Sequence, residues 1–184
     1  YDNQGYMNTG SQMSYSTPMG HRTSTSHVGA KEEGKRFHHK DTVQLMAATH
    51  VPYVFSAVEG FPADLMRKVA KAHWYAKHDG LVYGKILSFC PLNWGTPDDE
   101  GANVMQLAVD SCLFPLYEVE HGHTTITHDP DALGTRIPLD GWFGKLNKTK
   151  HLLEPAHRHV LDGLQTETDR RWRRIKAMHE HPDL

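Results

Sequence analysis

Two short apolar runs on either side of one amphipathic stretch restrict this chain more than any other feature. Pro52 to Val58 (PYVFSAV) and Leu81 to Phe89 (LVYGKILSF) are almost continuously apolar, as strands buried on both faces are. Between them, Pro62 to His78 sets Leu65, Met66, Val69, Ala72, His73 and Ala76 on one side at helical spacing. Pro62 suits a first helical turn, and Asp79-Gly80 stops the helix. Strand, helix and strand in this order imply a parallel pair joined by a crossover. The expectation is an α/β fold with a parallel sheet flanked by helices.

The remaining pattern extends that reading. Lys40 to His50 reads as a helix with Val43, Met46 and Ala47 on one side, and Gly101 to Cys112 as another with Val104, Met105, Ala108 and Val109 inward. Leu113 to Val119 and Thr124 to Thr127 flank His121-Gly122 as a hairpin. Ile137 to Leu153 reads as irregular and basic. Gln165 to Met178 reads as a helix whose Arg170, Arg171, Arg173, Arg174 and Lys176 face solvent or another subunit. Before all of these, the chain to about Gly34 is rich in Gly, Ser and Thr without helical or strand periodicity. Loops of this length are functional or disordered; Tyr6, Met7, Met13, Tyr15 and Met19 favour an ordered one. Two or three parallel strands are few for a three-layer domain. The chain is therefore expected to be the C-terminal half of a larger domain, with its other half before Tyr1 or on another chain.

Composition removes several function classes. The 184 residues carry 20 Lys and Arg against 22 Asp and Glu, a formal charge of −2. A balance this even argues against a broad nucleic-acid or anionic-membrane footprint. No run of about 18 apolar residues exists to span a bilayer. Two cysteines, Cys90 and Cys112, exclude a disulfide framework. The 15 histidines make net charge strongly dependent on pH below 7.

Few residues carry candidate chemistry. Asp2, Asn3 and Asn8, with carbonyls around Gly5, offer hard oxygen donors suited to Mg²⁺ or Ca²⁺, or else form an Asx-rich surface turn. Cys90 ends an apolar strand just before Pro91, where an α/β sheet meets its ligands. It is a nucleophile, a metal or cluster thiolate, or a small buried hydrophobe. Cys112 reads as core. Gly29 to Lys35 spells G-x-x-x-x-G-K, but Arg36 stands where a P-loop needs Ser or Thr, and no strand precedes it. The pairs His38/His39, His121/His123, His157/His159 and His179/His181 lack a recurring Cys or carboxylate and read as solvated.

Tyr1-Asp2-Asn3-x-x-Tyr6-Met7-Asn8-Thr9-Gly10-x-Gln12, followed by Ser16-Thr17-Pro18, resembles the thiamine-diphosphate-binding β subunit of the pyruvate (2-oxoacid):ferredoxin oxidoreductases. Lys31-Glu32-Glu33-Gly34-Lys35, Val51-Pro52-Tyr53-Val54, Cys90-Pro91-x-x-Trp94 and Pro115-Leu116-Tyr117-Glu118 extend the resemblance through nearly the whole chain. It implies a thiamin diphosphate-binding α/β fold of which this is the C-terminal part, with residues 1–130 in that domain and 131–184 a subunit-contacting extension.

The resemblance also implies cofactors. Thiamine diphosphate would be held with Mg²⁺, whose ligands would include the Asn3 side chain and the Gly5 backbone carbonyl. Tyr6, Met7, Asn8 and Thr9 would line the cofactor, with Asn8 near the reacting carbon as a positioning amide. Cys90 would be a thiolate of a [4Fe–4S] cluster whose other ligands, like a third Mg²⁺ ligand, lie in the missing half. The implied reaction is oxidative decarboxylation of a 2-oxo acid, pyruvate foremost, to acyl-CoA and CO₂ in the cytoplasm, with electrons passing to ferredoxin. Implied partners are α, γ and δ type subunits, coenzyme A and the 2-oxo acid. Met13, Tyr15, Asn93 and Trp142 to Leu146 depart from the family pattern. They leave room for branched-chain or aromatic substrates, or for a non-catalytic assembly subunit of the same fold.

Overall fold

Residues 1–5 and 13–181 are described by the structure, a computed structural model. Its centre is a strand with every residue buried, β3 (Tyr53–Val58). The strand follows two-residue pairs β1 (Val28–Gly29) and β2 (Glu32–Glu33), which are antiparallel to each other, and the helix α1 (Thr42–Ala47). The helix α2 (Pro62–His78) leads to β4 (Val82–Leu87), which pairs parallel to β3 from Tyr53↔Val82 to Val58↔Leu87. The strand–helix–strand order and bounds match the structure to within a residue or two at each end, but the buried helix face is a correction. Lys68 and Tyr75 are buried beside Leu65 and Ala72, whereas Met66, Val69, His73 and Ala76 of the expected stripe are exposed, because the packed face is turned toward Tyr53 and Ser56 of β3.

Beyond α3 (Pro91–Trp94) and α4 (Gly101–Asp110) come β5 (Leu116–Glu120) and β6 (His123–His128). The hairpin falls at His121-Gly122, both with positive φ. The sheet order is β4-β3-β5-β6, and β5 runs antiparallel to β3 and to β6. This corrects the parallel-sheet expectation: the sheet is mixed, with one parallel pair. The cause is local. Cys112 takes a left-handed turn (φ 56) directly after α4, and Pro115 is followed at once by β5, so the strand enters beside β3 from the opposite end.

Period-two alternation divides the core. Tyr53, Phe55 and Ala57 face Tyr75 and Leu65 of α2, whereas Val54, Tyr117 and Val119 face Val43 of α1 and Trp172 and Ile175 of α7 (Arg158–Glu180). A third cluster lies past the ends of β3 and β4. It joins Val58, Leu87, Trp94, Val104 and Val109 to α6 (Leu139–Phe143). Residues 137–153 thus contain a short helix and a 3₁₀ turn rather than irregular chain, with Leu139, Trp142, Phe143, Leu146 and Leu152 fully buried. Five-residue elements carry too few turns to show periodicity. The last helix begins at Arg158, and buries Val160, Leu161, Leu164, Thr168, Trp172 and Ile175 while its arginines flank the opposite side.

The early loop is ordered where it is described. The Gly20 and Lys35 backbones meet (Gly20 N to Lys35 O, 2.8 Å; Lys35 N to His21 O, 3.1 Å), and Thr17, His21 and Lys35 are buried. Gly34 has φ +83, and a Cβ there would stand 2.3 Å from the Gly20 carbonyl.

Candidate cofactor site

The two motifs that carry the resemblance meet at the C-terminal ends of β3 and β4, the edge at which open α/β sheets bind ligands. Asp2 extends the sheet by one residue alongside β4. Its N–H donates to Ile86 O (2.8 Å), and its carbonyl accepts from Ser88 N (3.0 Å). From there the chain passes over α3. The Asn3 carbonyl accepts two side-chain donors, Asn93 Nδ2 at 2.9 Å and Trp94 Nε1 at 2.8 Å. Gln4 takes φ 58, is buried, and receives the Thr17 hydroxyl on its carbonyl at 2.7 Å. Gly5 packs against Asn93 so closely that a Cβ would lie 2.6 Å from Nδ2.

The Asn3 Oδ1 accepts the Gly5 N–H at 3.0 Å, and Asp2 Oδ1 accepts the Gln4 N–H at 2.8 Å. These are Asx turns, and they fix both side chains. Tyr6, Met7, Asn8 and Thr9, the other expected cofactor contacts, lie outside the described residues. Cys90 is half-buried at the residue before α3, on the same end of the sheet as Asn3, and Cys112 is buried; both are free thiols. The Cys112 sulfur accepts from Arg136 Nη1 at 2.8 Å, and burial pushes its thiol up to about 12. Among the described residues no three His, Cys, Asp or Glu side chains converge as a metal site.

Around this turn lies a concentration of bases that the sequence reading did not bring together, and it corrects one expectation: His39, read as solvated with His38, is part-buried and hydrogen-bonded to Arg171. Lys85 Nζ sits 3.2 Å from Asp2 Oδ2. Lys35 Nζ donates to the Thr17 carbonyl, and burial lowers it to about 8 despite Asp2 nearby. Lys148 is buried, has no hydrogen-bond partner at Nζ among the described residues, and is lowered by that burial to about 7. His21 and His39 are held well below the usual histidine range, chiefly by burial and next by Lys148 and Arg171 respectively. Among the described residues both His21 ring nitrogens lack hydrogen-bond partners. The one nearby carboxylate identified with these lysines is Asp2. A hard oxygen donor at Asn3 next to such a surplus of bases suits a cation–polyanion pair better than a lone divalent ion. The available signal was Lys85, a lysine inside an otherwise apolar strand.

A cleft of about 510 Å³ opens beside α3, lined by Arg22, His27, Leu92, Asn93, Asn147 and Lys148 among others.

No family model matches the chain. It is 36% identical over 181 residues to the pyruvate synthase subunit PorB of Thermotoga maritima, covering 98% of this chain and 54% of that subunit. To the PorB subunit of Methanocaldococcus jannaschii it is 38% identical over 154 residues, 84% of this chain and 50% of that one. The ketoisovalerate oxidoreductase subunit VorB of Pyrococcus furiosus is 31% identical over 185 residues, with 98% and 55% covered. The chain thus spans about half the length of the curated relatives it matches.

Proposed function

We propose, given that this chain belongs to the family of the PorB and VorB subunits, that it is part of the thiamine-diphosphate-binding subunit of a 2-oxoacid:ferredoxin oxidoreductase. Pyruvate is the leading substrate, with acyl-CoA and CO₂ as products and ferredoxin as acceptor. The observation that carries this reading is the contact between the opening turn and the Cys90-Pro91-x-x-Trp94 element through the Asn3 carbonyl.

The mixed sheet flanked by helices is compatible with a thiamin diphosphate-binding domain, here residues 1–130, with 131–184 as a subunit-contacting extension. Asn3 Oδ1 and the Gly5 carbonyl would hold Mg²⁺, and Tyr6, Met7, Asn8 and Thr9 would border the cofactor, Asn8 orienting the substrate. Thiamine diphosphate, when bound, supplies the nucleophilic carbon and the electron sink for decarboxylation. Lys35 and Lys85, held near the turn by Thr17 O and Asp2, would supply positive charge toward the diphosphate, and Trp94 and Asn93 hold the turn through the Asn3 carbonyl. Cys90 would be a ligand of a [4Fe–4S] cluster completed by thiolates from outside this chain. The α, γ and δ type subunits, coenzyme A and a cytoplasmic setting belong to the same proposal. No helix among the described residues is long and apolar enough to cross a membrane.

Kinship with VorB supports a second reading, a branched-chain 2-oxo acid as substrate. Competition between pyruvate and 2-oxoisovalerate in the complete enzyme separates the two.

In the assembled enzyme, Asn3→Ala is expected to abolish Mg²⁺-dependent thiamine diphosphate binding measured by calorimetry. Unchanged binding would mean that this subunit keeps the fold for assembly alone. Cys90→Ala is expected to lower iron content and visible absorption while leaving thiamine diphosphate binding intact. Iron content equal to the parent's defeats the assignment of that thiol.

A further inference from the structure

Lys148 is firmly placed by its segment, and among the described residues its Nζ has no hydrogen-bond partner. Its segment docks on the end of α3: Gly95 has φ +63, and a Cβ there would lie 2.6 Å from Asn147 Cβ. Thr96 Oγ1 donates to Lys145 O at 3.0 Å, and Arg22 N donates to Lys148 O at 3.1 Å. The side chain then runs inward until Nζ stands 5.3 Å from the centre of the Trp94 ring. Trp94 and Cys90 belong to one turn of chain, with Trp94 N donating to Cys90 O at 2.9 Å. The acidic side chains near enough to act on Lys148 are Asp2 and, more weakly, Cys90. Asp2 already pairs with Lys85 at 3.2 Å. Lys148 thus shares Asp2 with Lys85, and the other acidic side chain within its reach is Cys90.

An ammonium taken out of water without a counter-charge costs several kcal/mol, and the ring face of a tryptophan offsets only part of that. Such a group is stable once an anion stands beside it. A [4Fe–4S] cluster with four thiolates is anionic, and it gains one more negative charge when it accepts an electron, with no bond made or broken. A fixed buried cation therefore favours the reduced form over the oxidised one.

We propose that Lys148 is the buried charge partner of the iron–sulfur cluster held through Cys90, a positioning residue that raises the potential of that cluster relative to its uncompensated value. The electron arrives from the oxidised 2-oxo acid and leaves to the external one-electron acceptor. The inference rests on the assignment of Cys90 as a cluster ligand.

The experiment uses the complete oxidoreductase, with redox titration followed by electron paramagnetic resonance. The relevant signal is the one that Cys90→Ala removes. Lys148→Gln is expected to move its midpoint to more negative potential and leave the other clusters unmoved, and Lys148→Arg to restore the parent value. Where the glutamine variant does not assemble, Lys148→Met is titrated with the same expected sign. A midpoint unmoved by loss of the charge, with the signal present, overturns the role of Lys148 alone. If no signal depends on Cys90, the ligand assignment itself fails and takes this inference with it.

Discussion

Trp94 Nε1 donates to the Asn3 carbonyl over 2.8 Å, joining two positions 91 residues apart in sequence. Trp94 is fully buried and its ring stands edge-on to both Phe89 and Trp142, so the donor is held by the core and not by the turn it serves. Trp94→Phe keeps an aromatic ring but deletes the N–H and part of the buried indole. It should cost about 2–4 kcal/mol, from the lost hydrogen bond and the space left by the smaller ring, and loosen residues 1–5. Hydrogen exchange checks this: the Ser88 amide, which donates to Asp2 O, should exchange faster, while amides of α2 stay protected.

Asn93 shares that carbonyl and crowds Gly5. Gly5→Ala places a Cβ 2.6–2.9 Å from the Asn93 amide, so Asn93 must swing away and give up its bond to Asn3 O. A loss of about 1–3 kcal/mol is expected from strain and the broken hydrogen bond. Asn93→Ala should remove most of the steric part, so a double-mutant cycle in urea should show strong non-additivity.

The buried lysines make stability dependent on pH in a direction that can be worked out. Native Lys148 is at about 7 and native Lys35 at about 8, both below a free lysine, as is Lys68 at about 8. Above pH 7 the unfolded chain therefore binds more protons than the native one, and unfolding free energy rises with pH. Below about 6.5, His21 and His39 act in the same sense, because they stay neutral only when folded. Urea melts of the cofactor-free chain should show stability climbing from pH 5 to 8.5. In Lys148→Met the climb between 7 and 8.5 should be shallower, and stability at pH 7 higher by about 1–2 kcal/mol, since an unpaired buried charge is gone.

Lys68 is a buried lysine of the opposite kind. It is fully buried in α2, sits 2.7 Å from Asp64 Oδ2, and donates to Ser56 O and Thr127 Oγ1 at 2.8 Å each. Lys68→Met should destabilise by about 3 kcal/mol, because it strands these acceptors and Asp64. Adding Asp64→Asn should recover part of the loss, measured by denaturant unfolding.

The order and ends of the strand–helix–strand unit were legible because their signals are local: two apolar runs, Pro62 at the start and Asp79-Gly80 at the end. The helix's buried face was not, since it is carried by Lys68 and Tyr75 and leaves Met66 and Val69 exposed. The orientation of β5 was not, since the reversal depends on a left-handed Cys112, and cysteine carries no preference for that conformation. The core contributed by Leu139, Trp142 and Leu152 was hidden by basic residues between short turns. At the candidate site, the motif residues were readable as motifs. The bases around them were not, because Lys35, Lys85 and Lys148 come from three distant segments, and only folding makes them neighbours of Asp2.

The one-sided growth of the sheet has a further consequence. On the far side of β4, among the described residues, only Leu87 has a strand partner, Asp2. Among the described residues, the peptide groups from Val82 to Tyr83 onward thus form an open seam beside the parallel β3–β4 pair. Such a seam is a template for another extended segment. When nothing else lies against it, a second molecule can zip on there, so stray β-assembly is the hazard that comes with this architecture.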